Sequence, residues 1–263
     1  MLMRAIRLWL VLAILAILAG FAARYADRAF GDPGNDAEKA YEELLAAEHW
    51  QQVRTAAETL GALGETGLPF LVKGTKQESA TVRRQCYSTL SKMFPKHPKS
   101  IKAVIAGLED SDSHVSYSCA FNLGKNRVAE AKDALVAFRK DTQHSKAARF
   151  AAAKSLAELG HKEIIVVLFV GLGSDIYSSR YLSNIGVKAL CGKDLTDFGY
   201  EGPREGGIVS HGMFHGKGLP IEKAKKRLDR CRAVVEFAEW LKKEKPDLFK
   251  ELDNLMFLAY PGV

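Results

Sequence analysis

His211 and His215 stand four residues apart, a spacing at which one helix face could present two imidazoles to a metal ion. Seven of the twenty residues from Gly199 to Gly218 are glycine, Gly212 and Gly216 among them, and glycine disfavours a helix there. No Cys or carboxylate stands beside the pair to complete a local ligand set. The segment reads as a surface loop, with contact to a partner as the alternative, and no metal or other cofactor is expected. Gly216-Lys217 lacks both the earlier glycine and the following Ser or Thr of a phosphate-binding loop. Gly-x-Ser-x-Gly, His-Glu-x-x-His and Cys-x-x-Cys are absent, so no nucleophile comes with a base in any known spacing. The residues predict a chain that is not an enzyme.

A second set of residues suggests recognition. Arg84, Tyr117, Phe150 and Tyr181 each stand two residues past an anchor position, Val82, Val115, Ala148 or Ser179. On a helix whose apolar positions are the anchor and the fourth, eighth and eleventh residues beyond it, that place lies about 165° from the mean core direction. With Phe121 one turn on, these side chains form a candidate partner-binding ladder. The alternative is that the rings fill gaps between neighbouring repeats.

The anchors are separated by 33, 33 and 31 residues, so the elements that carry the ladder recur. Thr81–Leu90, Ser113–Gly124, Ala148–Gly160 and Ser179–Leu190 align with one another, and Val53–Gly64 is a weaker copy. Within each, small or apolar residues recur along one helical face. A second helix leads into each copy, with apolar runs at Leu68–Val72, Ile101–Leu108, Ala134–Phe138 and Ile164–Leu172. Asp, Ser and Gly separate the pairs, and no stretch alternates as a strand would. A stack of helical hairpins, an α-solenoid, is the expected all-α fold.

At these residues the chain resembles the HEAT-like repeats of the short bacterial type, which also occur in phycobilisome lyases. The resemblance rests on Asp-x-Asp, Val-Arg and an Ala-rich helix closing in Leu-Gly; it covers about Ala40 to Gly192 and is most specific at Ala148–Gly160. Ser116 replaces the expected Arg, and the loop Asp before Val82 is missing. The resemblance implies that Arg54, Arg83, Arg149 and Arg180 pair with loop acids of neighbouring repeats and serve the fold. It also implies an alternative function, a lyase-like enzyme or subunit holding a small aromatic ligand in the groove.

Arg4 and Arg7 precede 16 uncharged residues, Leu8–Ala23. As a helix these span roughly 24 Å against a hydrocarbon core of about 30 Å. Ala-x-Ala is absent near their end, so the stretch is taken as an uncleaved transmembrane anchor, with a removed signal and secretion as the alternative. The small excess of positive charge before it places the bulk of the chain outside the cytoplasm. Gly31–Asp36 reads as a tether.

With 47% apolar and 26% charged residues in 263, the chain is globular in composition. Of its net charge of +7, 11 Lys and Arg against 6 Asp and Glu fall between Lys217 and Lys250. Interleaved acids make that stretch a solvated helix face rather than a nucleic-acid site, and expected export argues the same way. Cys86 and Cys119 occupy equivalent repeat positions and read as small core residues, while a Cys191–Cys231 bridge stays open. Helices are expected at Ile221–Lys245 and, past Pro246, at Asp247–Leu258. The organisation is therefore an anchor at 1–30, a repeat array at 37–192, a Gly-rich loop at 193–219 and a helical cap at 220–263. Its function is that of a non-enzymatic, membrane-anchored scaffold for a protein partner.

Overall fold

The computed structural model describes residues 33–94, 97–174, 176–200 and 220–259, the side chains of 220–228 and 253–259 excepted. Among the described residues there are helices and turns but no strand. Five helical hairpins follow one another along the chain. They pair α1 (Pro33–Ala46) with α2 (Trp50–Ala62), α3 (Leu68–Gly74) with α4 (Ala80–Lys92), and α5 (Pro98–Ala106) with α6 (Ser113–Lys125). The fourth pairs α7 (Lys132–Lys140) with α8 (Lys146–Glu158), and the fifth α9 (Ile165–Leu172) with α10 (Tyr177–Cys191). Then come α11 (Pro220–Glu244) and α12 (Pro246–Ala259). The anchors Val82, Val115, Ala148 and Ser179 all fall on the second helix of a hairpin and are all buried. The architecture is one of helical hairpins repeated along the chain.

The chain divides into two compact units between Thr89 and Leu90. In the first, Leu44, Val53, Ala57, Leu60, Leu71 and Cys86 form the core. The lack of a side chain at Gly74 admits the Cys86 sulfur, since a Cβ there would collide with it.

In the second unit α8 packs against α6 on one flank and α10 on the other, and seven consecutive residues, Ala151 to Ala157, are buried. Only small side chains allow so close an approach on several sides. Ser155 Oγ donates to the Ala120 carbonyl across the α6–α8 contact at 2.7 Å. The helix starts are capped as the loop residues predict: Asp112 accepts from the His114 and Val115 amides, and Ser145 from that of Ala148. Beyond α10, Tyr200 donates to the Leu172 carbonyl at 2.9 Å, satisfying an orphan acceptor at the end of α9. Phe237 of α11 then packs among Phe169, Phe198 and Trp240, so the C-terminal helices cover the last hairpin.

Two expectations about the N-terminus change. Pro33–Asp36 is the first turn of α1 rather than a tether. The single-pass membrane localisation is also corrected: among the described residues no helix is long and apolar enough to cross a membrane. Leu8–Ala23, on which that expectation rests, lies outside the described residues, and membrane anchoring is carried no further.

Candidate functional site

The aromatic ladder lies on the second helices of the second unit. Tyr117 and Phe121 come from α6, Phe150 from α8 and Tyr181 from α10, while Arg84 belongs to α4 in the first unit. All five are half-buried. The angle from the core direction would have left them open, but it considers one hairpin at a time, whereas α8 touches α6 on one flank and α10 on the other.

Phe150 shows the consequence. Its ring sits over Gly171 of α9, where a Cβ would collide both with the ring and with the Ser183 hydroxyl. Phe121 lies beneath the ammonium of Lys154, 3.7 Å from the ring centroid, a cation–π contact strengthened by desolvation. Tyr117 stacks on Phe121 at 6.2 Å between centroids. Burial raises the Tyr117 phenol above its ordinary value, and the neighbouring Tyr181 phenol raises it further. The structure thus brings Tyr117, Phe121 and Tyr181 into one half-open patch and turns Phe150 toward the next hairpin.

The four repeat arginines do not behave alike. Arg83 Nη1 donates to the Gln77 and Glu78 carbonyls, at 3.0 and 2.7 Å. Arg180 Nη1 donates to the Ser174 carbonyl at 2.8 Å. Both fold back on the loop that precedes their own helix. Arg54 reaches Glu58 on its own helix instead, 3.1 Å away and exposed, which contributes little. Arg149 has no such bond among the described residues, and its Nε is buried without a partner.

Arg139, at the end of α7, was not singled out in the sequence; its Nε is likewise buried and unpartnered. Burial, and then the like charge of Arg149, lower the Arg139 pKa. No motif or repeat position in the sequence marks it.

His211 and His215 lie outside the described residues. Among those described, no three His, Cys, Asp or Glu side chains gather as metal ligands. Cys86, Cys119 and Cys191 are buried thiols and Cys231 is an exposed one, none of them bridged. Burial pushes the Cys86 thiol up to about 12 and Cys191 to about 11, away from nucleophilic use.

No family model matches the chain, and no curated protein matches it. Among solved structures it is similar to the complex of CpcE and CpcF of phycocyanin lyase from Nostoc sp. PCC7120. That match has 14% identity and a TM-score of 0.48, and covers 83% of this chain and 94% of the other. It corrects the expectation of a non-enzymatic chain, because the matched structure is by its title a lyase complex. The chain is not classed as non-enzymatic, and at this degree of likeness no activity is carried over to it.

Proposed function

We propose that the chain is a HEAT-like repeat scaffold that captures a protein partner on the second helices of its hairpins. The half-open patch of Tyr117, Phe121 and Tyr181 is the observation that supports this reading. Stacked rings with polar tips, half in water, are what interface anchors look like before they are covered. Phe150 continues the same repeat position on α8 of the same unit.

Crosslinking with mass spectrometry, on the full-length chain in its native cells, tests the proposal. The Tyr117→Ser, Tyr181→Ser double variant should lose the crosslinks to a partner that the unaltered chain makes, while melting within a few degrees of it. Unchanged crosslinks would contradict the reading. So would a collapse of the melting temperature, since a buried ring truncated to a small side chain costs about 3–5 kcal/mol and would mark the rings as core.

A further inference from the structure

The charge of the first hairpin runs against that of the chain. The whole carries +7, yet Pro33 to His49 holds five acids against one base. The nine residues before Pro33 hold two Arg and two Asp and leave that balance unchanged. All five acids are exposed. Glu43 stands in the last turn of α1 and Glu48 just past it, where the helix dipole favours cations, and that turn has no base. Glu42, Glu43 and Glu48 form no ion pair among the described residues, so the hairpin does not use them to hold itself together. Beside them lies a groove of about 490 Å³ in which Ala46, Ala47 and Ala56 leave room and Glu43 is the one charged residue of the described lining. Leu45 and Trp50, next in sequence to lining residues, are 48% and 51% exposed.

The start of α11 has the opposite character. Glu222 to Arg232 holds six bases against two acids. Four of the bases, Lys223, Lys225, Lys226 and Arg227, fall within the first eight residues of the helix, at the end where the dipole disfavours cations. Each of these two helix ends therefore carries the charge that its own dipole opposes, and the signs are opposite. Setting the end of α1 against the start of α11 brings acids to bases and the negative end of one dipole to the positive end of the other.

We infer that the first hairpin, at Glu42, Glu43, Glu48 and the groove beside them, is the docking surface for the basic start of α11 in a second copy of this chain. A second copy is the occupant that the charges select, because the chain itself supplies a helix with the required sign and the matching dipole end. A long basic side chain from Lys223–Arg227 lays its methylene stem over Ala46 and Ala56 and brings its charged end to Glu43. Leu45 and Trp50 supply apolar cover beside it. The contact joins unlike surfaces and is heterologous. It is independent of the tyrosine patch, which lies on other helices.

Sedimentation velocity on the full-length chain tests the inference. The unaltered chain should associate at micromolar concentration. That association should weaken about tenfold or more between about 0.1 and 1 M salt, over which the screening length falls from about 10 to about 3 Å. A hairpin variant (Glu42→Lys, Glu43→Lys, Glu48→Lys) and a helix variant (Lys223→Glu, Lys226→Glu, Arg227→Glu) should each be monomeric. Mixed together they should associate again, because each then meets a surface of opposite charge. All six substitutions in one chain restore the original net charge and should restore self-association. The salt series needs no variant and carries the test should one of them fail to fold.

A chain that stays monomeric at low salt would overturn the inference, as would association that ignores both salt and the substitutions. Association that the variants lose and regain neither on mixing nor in the combined chain would overturn it as well. So would a monomer whose first hairpin crosslinks to a basic segment of a different protein and loses that crosslink in the hairpin variant, since the surface would then have another occupant.

Discussion

Lys154 and Arg149 belong to the same helix, five residues apart, and their surroundings differ in every respect that matters to a cation. Lys154 is 1% exposed, yet its ammonium lies 2.7 Å from Glu158 and above the Phe121 ring. Arg149 is half-buried against a second cation and has neither. The central part of α8, enclosed by α6 and α10, satisfies its charge internally. At the N-terminal edge of α8, Arg149 lines a cavity together with Arg139, and no carboxylate among the described residues lines it. The first arrangement stabilises the fold; the second makes no such pairing among the described residues.

The comparison is broken most forcefully by taking the partner from the satisfied cation. Glu158→Ala should cost about 3–5 kcal/mol, because Lys154 would then be buried with only the Phe121 ring to offset its lost hydration. Urea unfolding measures this. The deficit also has a pH signature. Burial, the larger cause, lowers the Lys154 pKa against the opposing effect of Glu158, so removing Glu158 lowers it further. A base whose folded pKa is depressed is penalised when protonated, and the penalty lifts as pH rises toward its ordinary 10.5. The variant should therefore draw closer to the unaltered chain in alkali. A pH-independent deficit would mean that the carboxylate matters for packing alone.

A second contrast lies between the two units, at the equivalent core thiols. Cys86 is raised from 9.0 to about 12 by burial, and Cys119 is raised further still, by burial and then by Asp110. An acid whose folded pKa is raised contributes stability that is whole below the unfolded value and fades above it. Unfolding midpoints should hold steady up to pH 9 and fall as pH climbs toward 12. Cys86→Ala should flatten part of that fall, and equal slopes with and without the thiol would disprove its role.

The smallest effect concerns the turn after α6. Arg127 has φ 52°, where the equivalent turns after α2 and α8 use Gly64 and Gly160, with φ 60° and 84°. A side chain in this left-handed region costs about 1 kcal/mol. Arg127→Gly should raise the melting temperature by a few degrees, and a fall would show that the arginine side chain earns its place there.

Much of this was legible in the sequence, and the limits have physical causes. The 33, 33 and 31 spacing places all four anchors on second helices, where they are buried. The helical C-terminal segments are where Pro220 and Pro246 suggest. The arginines are different. The family resemblance implied one role for Arg149, Arg83 and Arg180 alike. The exception depends on Arg139 from another helix, which is not a periodic property. The ladder residues were placed on the right helices but too far into solvent, because a helical wheel contains no neighbouring hairpin.

The most direct test sets Arg83→Met, Arg149→Met and Arg180→Met side by side in urea unfolding of the full-length chain. Arg83 and Arg180 should each cost about 1.5–3 kcal/mol, the value of hydrogen bonds from a charged group. Arg149→Met should cost nothing or stabilise slightly, since it removes one of two facing like charges. A loss at Arg149 as large as at Arg180 would contradict the account, for it would make all three arginines structural.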